Sequence, residues 1–94
     1  MIARIWHGYT TQANAEAYAA ALRDEILPGI VKVPGYKGSY LLQRPYGGDV
    51  EFVTLMLWNS LKALREFAGA DYERAIVPVG RRKFLLRYDE CSAH

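Results

Sequence analysis

Residues 52–61 read FVTLMLWNSL, and they are the most informative stretch for the fold of this 94-residue chain. The first seven residues are apolar or β-branched, and the run is short enough for a buried strand. Ser60 follows, and its hydroxyl can accept a hydrogen bond from the first turn of a helix. Apolar residues then recur at helical spacing, at Leu61, Leu64, Phe67 and Ala68. The stretch predicts a buried strand leading into an amphipathic helix that Gly69 can end with a positive φ.

The chain before this stretch predicts a strand, a helix and a second strand. Residues 2–10 read as the first strand, and Thr10 or Thr11 can cap a helix over residues 12–27. The Pro28-Gly29 pair is expected to end that helix. Residues 36–44 are only half apolar, and Pro45 follows them. Because proline is tolerated mainly at sheet edges, these residues predict an edge strand, joined to the central strand by a hairpin loop over residues 46–49.

The chain after the Ser60 helix predicts a short helical piece and a last strand. Asp71 can cap the helical piece, whose apolar face would carry Tyr72, Ala75 and Ile76, and residues 78–80 would break it. The last strand is predicted over residues 83–89, and residues 90–94 are expected to form a loosely ordered tail.

The predicted order of elements is β-α-β-β-α-β, within a single domain over residues 1–94. In one sheet this order gives the α+β, ferredoxin-like arrangement: a four-stranded antiparallel sheet with the first and third strands in the centre. Two helices would then cover one face of the sheet.

Composition excludes several classes of partner. Twelve Lys and Arg against ten Asp and Glu leave a net charge of +2, which is too small to predict nucleic-acid binding. The basic residues at 81–83 and Arg87 are interpreted as solvated surface rather than as a site for an anionic partner. The single Cys91 cannot form an internal disulfide, which favours a reducing compartment. No basic leader precedes a long apolar run, so a cytoplasmic protein without a membrane segment is expected.

The central strand is apolar on both of its faces. Phe52, Met56 and Trp58 point one way, whereas Leu55 and its neighbours at 53 and 57 point the other way. One face of an antiparallel sheet in a two-layer domain normally meets water and carries polar residues. Two helices cover only one face, so the pattern predicts a homodimer that pairs through the other face.

Four stretches of the chain belong to a recognisable pattern: IARIW at 2–6, VPGY at 33–36, TLMLWNSL at 54–61 and FAGADYERA at 67–75. Together they resemble the antibiotic-biosynthesis-monooxygenase-like family of the dimeric α/β-barrel superfamily, over about residues 1–89. The resemblance implies that two copies pair their sheets into a barrel with the helices outside. It also implies the family's activities, which include cofactor-independent oxidation of aromatic compounds, quinol oxidation and haem degradation.

A cofactor-independent oxygenase needs an apolar cavity, a base that forms the substrate anion, and donors that hold the developing charge. No cofactor or metal motif is present, and none is expected. His7 is the best candidate for the catalytic base, because imidazole titrates near neutral pH. A hydrogen-bonded histidine of the sheet or the interface is the competing interpretation. A tyrosine or Asn59 would donate to the oxyanion.

The candidate pocket residues are aromatic rings and one amide: Trp6, Tyr9, Tyr40, Trp58, Asn59, Phe67, Tyr72 and Tyr88. Pairing of the first and third strands is expected to bring Trp6 and Trp58 near one another. Core packing is the competing interpretation for these rings, and it is the more common role of such residues. Haem degradation is disfavoured, because the first strand lacks the family's Asn and no histidine follows the second helix at residues 74–77.

Two functions follow as expectations. The first is a cofactor-independent monooxygenase acting on a small aromatic or quinol-type compound. The second is a non-catalytic dimer, either a small-ligand-binding protein or a stress-associated scaffold. A cavity lined by His7 or a tyrosine hydroxyl would favour the enzyme. A core filled by Trp58, Phe67 and Tyr72 would favour the scaffold.

Overall fold

A computed structural model describes residues 1–75 and 82–94, without the side chains of residues 25–27. Its four strands are β1 Ile2–Thr11, β2 Tyr36–Tyr46, β3 Asp49–Trp58 and β4 Leu85–Tyr88. Its helices are α1 Gln12–Ala21, a π-helical stretch Leu22–Ile26, α2 Leu27–Ile30 and α3 Leu61–Ala68.

The strands form one antiparallel sheet in the order β2-β3-β1-β4. This order confirms the α+β class and is compatible with the predicted ferredoxin-like arrangement. As predicted, β1 and β3 are central and β2 lies at an edge. The central pairing runs in register from Ile2 opposite Trp58 to Thr11 opposite Asp49.

The helices cover one face of this sheet, which we call the helix-covered face. Tyr18 of α1 packs against Phe52, and Leu64 of α3 belongs to the same cluster as Trp58. Phe52 and Trp58 alternate with Leu55 along β3, so Leu55 lies on the opposite side. That opposite side is called the open face below.

The core of the described residues consists of two clusters on the helix-covered face. In one, the rings of Tyr18 and Phe52 meet edge to face at 4.9 Å. In the other, Trp58 stacks on Phe67 with ring centroids 4.9 Å apart, over buried Leu64. Each of these large side chains contributes roughly 1.5–3 kcal/mol by leaving water, so the two clusters attach α1 and α3 separately to the sheet.

The predicted helix caps and hairpin are confirmed. Thr11 accepts a hydrogen bond from the Asn14 amide at 3.2 Å, and Ser60 accepts one from the Ala63 amide at 3.1 Å. Gly69 ends α3 with a φ of 89°. A two-residue turn joins β2 to β3, and the φ of 60° at Gly47 suits the tight hairpin turns that follow the twist of the strands.

Two proline positions differ from expectation. The helical segment continues past Pro28 to Ile30, and the residues before Pro28 form a π-helical stretch. In that geometry an N–H donates to the carbonyl five residues back instead of four, so the hydrogen-bond pattern changes just before the residue that lacks an N–H. β2 likewise continues through Pro45, which an edge strand allows because one side of its backbone faces away from the sheet.

The segment after α3 is a turn rather than the expected helical piece. The Arg74 amide donates to the Asp71 carbonyl at 3.1 Å, and Arg74 then forms a β-bridge with Cys91. Backbone pairing to a distant segment therefore replaces helical hydrogen bonding at this point. The parts of the prediction that concern Ile76 and residues 78–80 lie outside the described residues.

The C-terminal segment 90–94 is hydrogen-bonded on both sides, where a loose tail was expected. Ala93 and Ile5 exchange two backbone hydrogen bonds of 2.8 and 2.9 Å, and the Ser92 amide donates to the Glu73 carbonyl at 2.6 Å. β4 itself is shorter than predicted and begins at Leu85. The C-terminal segment thus takes a place beside β1 that β4 leaves vacant.

Candidate functional site

His7 lies on the open face of β1 and pairs with an aspartate that follows β4. Its Nδ1 is 3.1 Å from Oδ2 of Asp89, and the two side chains are 38% and 48% exposed. When Nδ1 carries the ring proton and donates it to the carboxylate, Nε2 is the acceptor. This pair, the His7–Asp89 dyad, is the arrangement in which a carboxylate orients an imidazole that serves as a base.

The backbone of Asp89 is held by β1 from two directions. The Asp89 amide donates to the His7 carbonyl at 2.9 Å, and Nε1 of Trp6 donates to the Asp89 carbonyl at 2.7 Å. The Trp6 ring lies close to Gly8, where an added Cβ would be 2.7 Å from Cη2 of the indole. The Tyr88 ring is 6.0 Å from that of Trp6. Trp6 therefore holds the backbone of Asp89 through its indole N–H, and Tyr88 packs beside Trp6.

A second polar group occupies the same face of the sheet. Its members, which we call the tyrosine–arginine cluster, are Tyr9, Arg44, Tyr46, Glu51 and Arg87. Nε of Arg44 donates to Oε1 of Glu51 at 2.7 Å, although Glu51 is buried. The Tyr9 and Tyr46 rings are 5.2 Å apart, and the Arg87 guanidinium lies over Tyr9 at 3.9 Å from the ring centroid.

The charges of this cluster perturb one another. The hydrogen bond from Arg44 lowers the pKa of Glu51, so the buried carboxylate stays ionised. Hydrogen bonding to Glu51, followed by burial, raises the pKa of Tyr9. The same partner raises the pKa of Arg44. Arg44 and Glu51 therefore form an ion pair within the cluster, and Tyr9 keeps its phenolic proton at neutral pH.

Tyr40 lies farther along the open face and is 59% exposed. It sits opposite Leu55 in the β2–β3 ladder, and Leu42 sits opposite Val53. These residues form an apolar region that continues toward the tyrosine–arginine cluster. The sheet therefore separates Tyr40 from the predicted pocket rings that lie on the helix-covered face.

Three of the predicted pocket residues are in the core. Trp58 is fully buried, Phe67 stacks on it, and Tyr72 packs against the same cluster. Nε1 of Trp58 has no hydrogen-bond partner. These rings occupy the space between the sheet and α3, on the face away from His7.

The predicted proximity of Trp6 and Trp58 is wrong. Trp6 pairs with Thr54, whereas Trp58 pairs with Ile2, so the two indoles lie four positions apart along the ladder. At about 3.3 Å per residue this separates their backbones by roughly 13 Å. They accordingly belong to different core clusters.

Asn59 is exposed and lies at the turn that precedes α3. The backbone N–H of Asn59 donates to the Gly35 carbonyl at 2.8 Å. The side-chain Oδ1 of Asn59 would be 2.9 Å from a Cβ added at Gly35. Asn59 therefore supports the turn before β2 and lies beside the Trp58 cluster, away from the dyad.

Arg4 is a buried cation that the pocket prediction did not include. It is 3% exposed; its Nη2 donates to the Arg74 carbonyl at 3.1 Å, and its Nη1 donates to the Tyr72 carbonyl. Nη1 also lies 2.9 Å from Nε2 of His94. A guanidinium only donates, so His94 must be neutral to accept this bond. Burial, followed by the charge of Arg4, lowers the pKa of His94 accordingly.

The polar residues that sequence reasoning missed were visible as charges inside strands. Arg4 and Glu51 are each flanked by apolar residues within their strands, and such positions are occupied by buried charges only when a partner is supplied. Their partners could not be named, because the register and the path of residues 89–94 bring distant segments together.

Comparison with known proteins adds no family assignment. No family model matches the chain, and no curated protein matches it. Within residues 1–75 and 82–94, no helix is long and apolar enough to cross a bilayer. The same residues contain no group of three or more His, Cys, Asp or Glu side chains that could hold a metal ion.

Proposed function

We propose that the protein is a homodimeric, cofactor-independent monooxygenase acting on a small aromatic or quinol-type compound. The observation that carries the proposal is the His7–Asp89 dyad, with Nδ1 and Oδ2 3.1 Å apart. A carboxylate-oriented imidazole on an apolar surface is the group needed to remove a proton from a weakly acidic substrate. The resemblance to the antibiotic-biosynthesis-monooxygenase-like family supports the same reaction.

The dimer would supply the enclosure that a single open face lacks. Leu42, Leu55 and Tyr40 give this face an apolar surface. A second copy pairing through it would bury these residues and exclude water from the dyad. The homodimer through the sheet face is therefore part of the proposed function.

The proposed chemistry begins with transfer of a substrate proton to Nε2 of His7. The carbanion or phenolate that forms gives an electron pair to molecular oxygen. One oxygen atom ends as a new carbonyl oxygen on the substrate, and the other leaves as water with two substrate hydrogens. The electrons come from the substrate, so no further reductant is required. Asp89 stabilises the imidazolium while His7 holds the proton.

Oxygen uptake with anthrones and hydroquinones tests the assignment. His7→Ala is expected to lower turnover by about tenfold or more, since a positioned base contributes at least that much. Asp89→Asn should also lower turnover, because the amide favours the wrong tautomer. His94→Gln removes the other histidine and serves as the matched control, with turnover expected to stay near that of the wild type. Unchanged turnover in a folded His7→Ala variant would exclude His7 as the base.

Light scattering tests the dimer. Leu55→Asp places a charge in the middle of the open face, and its expected effect is at least about a tenfold rise in the dimer dissociation constant. Lys62→Gln at an exposed position of α3 is the control, because it lowers the net charge by the same single unit. A wild-type chain that is monomeric at micromolar concentration would contradict the proposal.

A second function is favoured by one observation. Trp58, Phe67 and Tyr72 fill the space between the sheet and α3, which is the place where a helix-side pocket would lie. A filled core is the expectation for a non-catalytic small-ligand-binding or stress-associated dimeric scaffold. An intact dimer that shows no His7-dependent oxygen uptake with these substrates would select this alternative.

A further inference from the structure

Arg87 is placed directly beside the His7–Asp89 dyad. It pairs with Tyr9 across the β1–β4 ladder, two positions along each strand from the dyad. Its guanidinium carbon is 3.9 Å from the centroid of the Tyr9 ring and 5.6 Å from that of Tyr46. Contact with a ring uses the flat face of a guanidinium and leaves N–H groups at its edge available.

The charge of Arg87 is not balanced by a contact of its own. The other arginine of the cluster, Arg44, donates to Glu51 at 2.7 Å. Throughout the described residues, no carboxylate forms an ion pair with Arg87; the nearby Asp89 side chain pairs with His7 instead. Arg87 is therefore a positioned cation with free donors.

The partners of Arg87 do not supply an anion from within the cluster. Glu51 is buried and engaged by Arg44, and Tyr9 keeps its phenolic proton because hydrogen bonding to Glu51 raises its pKa. The rings fix where the guanidinium lies, and they leave its charge unneutralised. An external anion is the remaining candidate partner.

Exposed aromatic surface adjoins Arg87. The Tyr46 ring, whose centroid is 5.6 Å from the guanidinium carbon of Arg87, belongs to a residue that is 43% exposed on the open face. A ligand that meets the Arg87 cation at one end and the exposed Tyr46 ring at the other has an acidic group attached to a flat apolar body.

We propose that Arg87, held against Tyr9 and Tyr46, binds the carboxylate of a planar aromatic acid whose ring packs against Tyr46. The guanidinium edge suits a carboxylate because two parallel N–H groups match its two oxygens. Carboxylate binding itself is independent of His7. That aromatic acids are also the substrates rests on the proposed function.

Fluorescence titration with 2-naphthoate tests the site, with neutral 2-naphthalenemethanol and inorganic phosphate as comparison probes. Wild-type protein is expected to bind 2-naphthoate about tenfold or more tightly than either comparison probe, since a charged hydrogen-bonded pair adds at least that factor. Arg87→Gln should remove this preference and leave the affinity for 2-naphthalenemethanol unchanged. Arg87→Lys keeps the positive charge but lacks the two parallel N–H groups of a guanidinium. It should retain part of the preference for 2-naphthoate.

Arg65→Gln is the matched control, because Arg65 also lies over a tyrosine, at 5.9 Å from the Tyr72 ring, away from the open face. It should leave 2-naphthoate binding unchanged. The inference is overturned if wild-type protein binds the alcohol or phosphate as tightly as 2-naphthoate, a result that needs no variant to fold. Equal affinity in a folded Arg87→Gln variant would overturn it as well.

The two proposals fail separately. His7→Ala should retain 2-naphthoate binding, because Arg87 does not depend on the imidazole. Oxygen uptake that depends on His7 in a protein that does not bind 2-naphthoate would exclude the Arg87 site alone. Binding without any His7-dependent uptake would exclude the catalytic proposal alone.

Discussion

The two faces of β3 carry similar apolar residues between positions 52 and 58 and lie in different environments. Along β3, Phe52 and Trp58 are fully buried by the helices, whereas the Leu55 and Val53 positions between them stay partly exposed beside Tyr40 and Leu42. Residue type along a central strand therefore predicts which side chains favour burial. It does not show which face the chain itself covers.

The largest expected effect lies on the helix-covered face. Trp58→Ala should reduce the free energy of unfolding by about 3–5 kcal/mol, because it leaves a cavity under α3. Trp58→Phe should cost much less, since the Trp58 N–H has no partner to lose. Leu86→Ala, at an exposed position, is the control and should change the free energy of unfolding by no more than about 0.5 kcal/mol. Urea unfolding measures the stability of all three variants. Equal losses of stability in Trp58→Ala and Leu86→Ala would contradict the difference between the buried and the exposed position.

Gly8→Ala connects the two faces. The added Cβ would lie 2.7 Å from Cη2 of Trp6, and displacing a packed ring costs roughly 1–3 kcal/mol. The shifted indole should also release the Asp89 carbonyl and loosen the dyad. Thermal unfolding and the NMR shifts of the His7 ring report these effects. Gly48→Ala, where a Cβ meets open space, is the control.

Arg4→Met tests the only buried cation described on the helix-covered side of residues 1–75 and 82–94. It leaves the Arg74 and Tyr72 carbonyls without their donors, which should cost roughly 1–3 kcal/mol. The loss should be local, so amide exchange at Ala93 should accelerate more than exchange within β3. Uniform acceleration would show that Arg4 does not act through the C-terminal segment.

The smallest expected effect is a change in acid sensitivity on the open face. The hydrogen bond from Arg44 lowers the pKa of Glu51 below its ordinary value of 4.5. The Glu51 carboxylate therefore binds a proton less readily in the folded protein than in the unfolded chain. Its contribution to stability is present above about pH 4.5 and is lost as the pH falls through the folded-state pKa. Melting temperatures from pH 7 to pH 3 should decrease less steeply in Glu51→Gln. If the melting temperatures of the wild type and of Glu51→Gln fall in parallel with pH, Glu51 does not contribute to acid sensitivity.

Much of the fold could be predicted because its signals are local. Ser60 and Thr11 cap helices through backbone groups within three residues, and the alternation of β3 is set by its own side chains. The errors concern longer-range effects. The helix passes Pro28 through a π-helical stretch, and residue 74 pairs with Cys91 where a helical turn was expected.

The candidate site was predictable only in part for the same reason. His7 and Tyr9 could be placed on one face of β1 by counting alternate residues. Their partners Asp89 and Glu51 depend on the ladder register and on how β4 ends. Trp58 and Tyr72 were recognisable as aromatic, but residue type does not separate a core ring from a pocket wall.

The two-residue turn at Gly47 bears on the order in which the chain folds. β2 and β3 are neighbours in sequence and can pair after closing a very short loop, whereas β1 must find partners 38 residues away (Thr11 with Asp49) to 56 residues away (Ile2 with Trp58). Long loops close at a greater entropic cost and slow folding. We expect the hairpin to form early and the strand at the centre of the finished sheet to dock late. Substitutions at Gly47 should then slow refolding in stopped-flow experiments, while those at Ala93 should mainly accelerate unfolding.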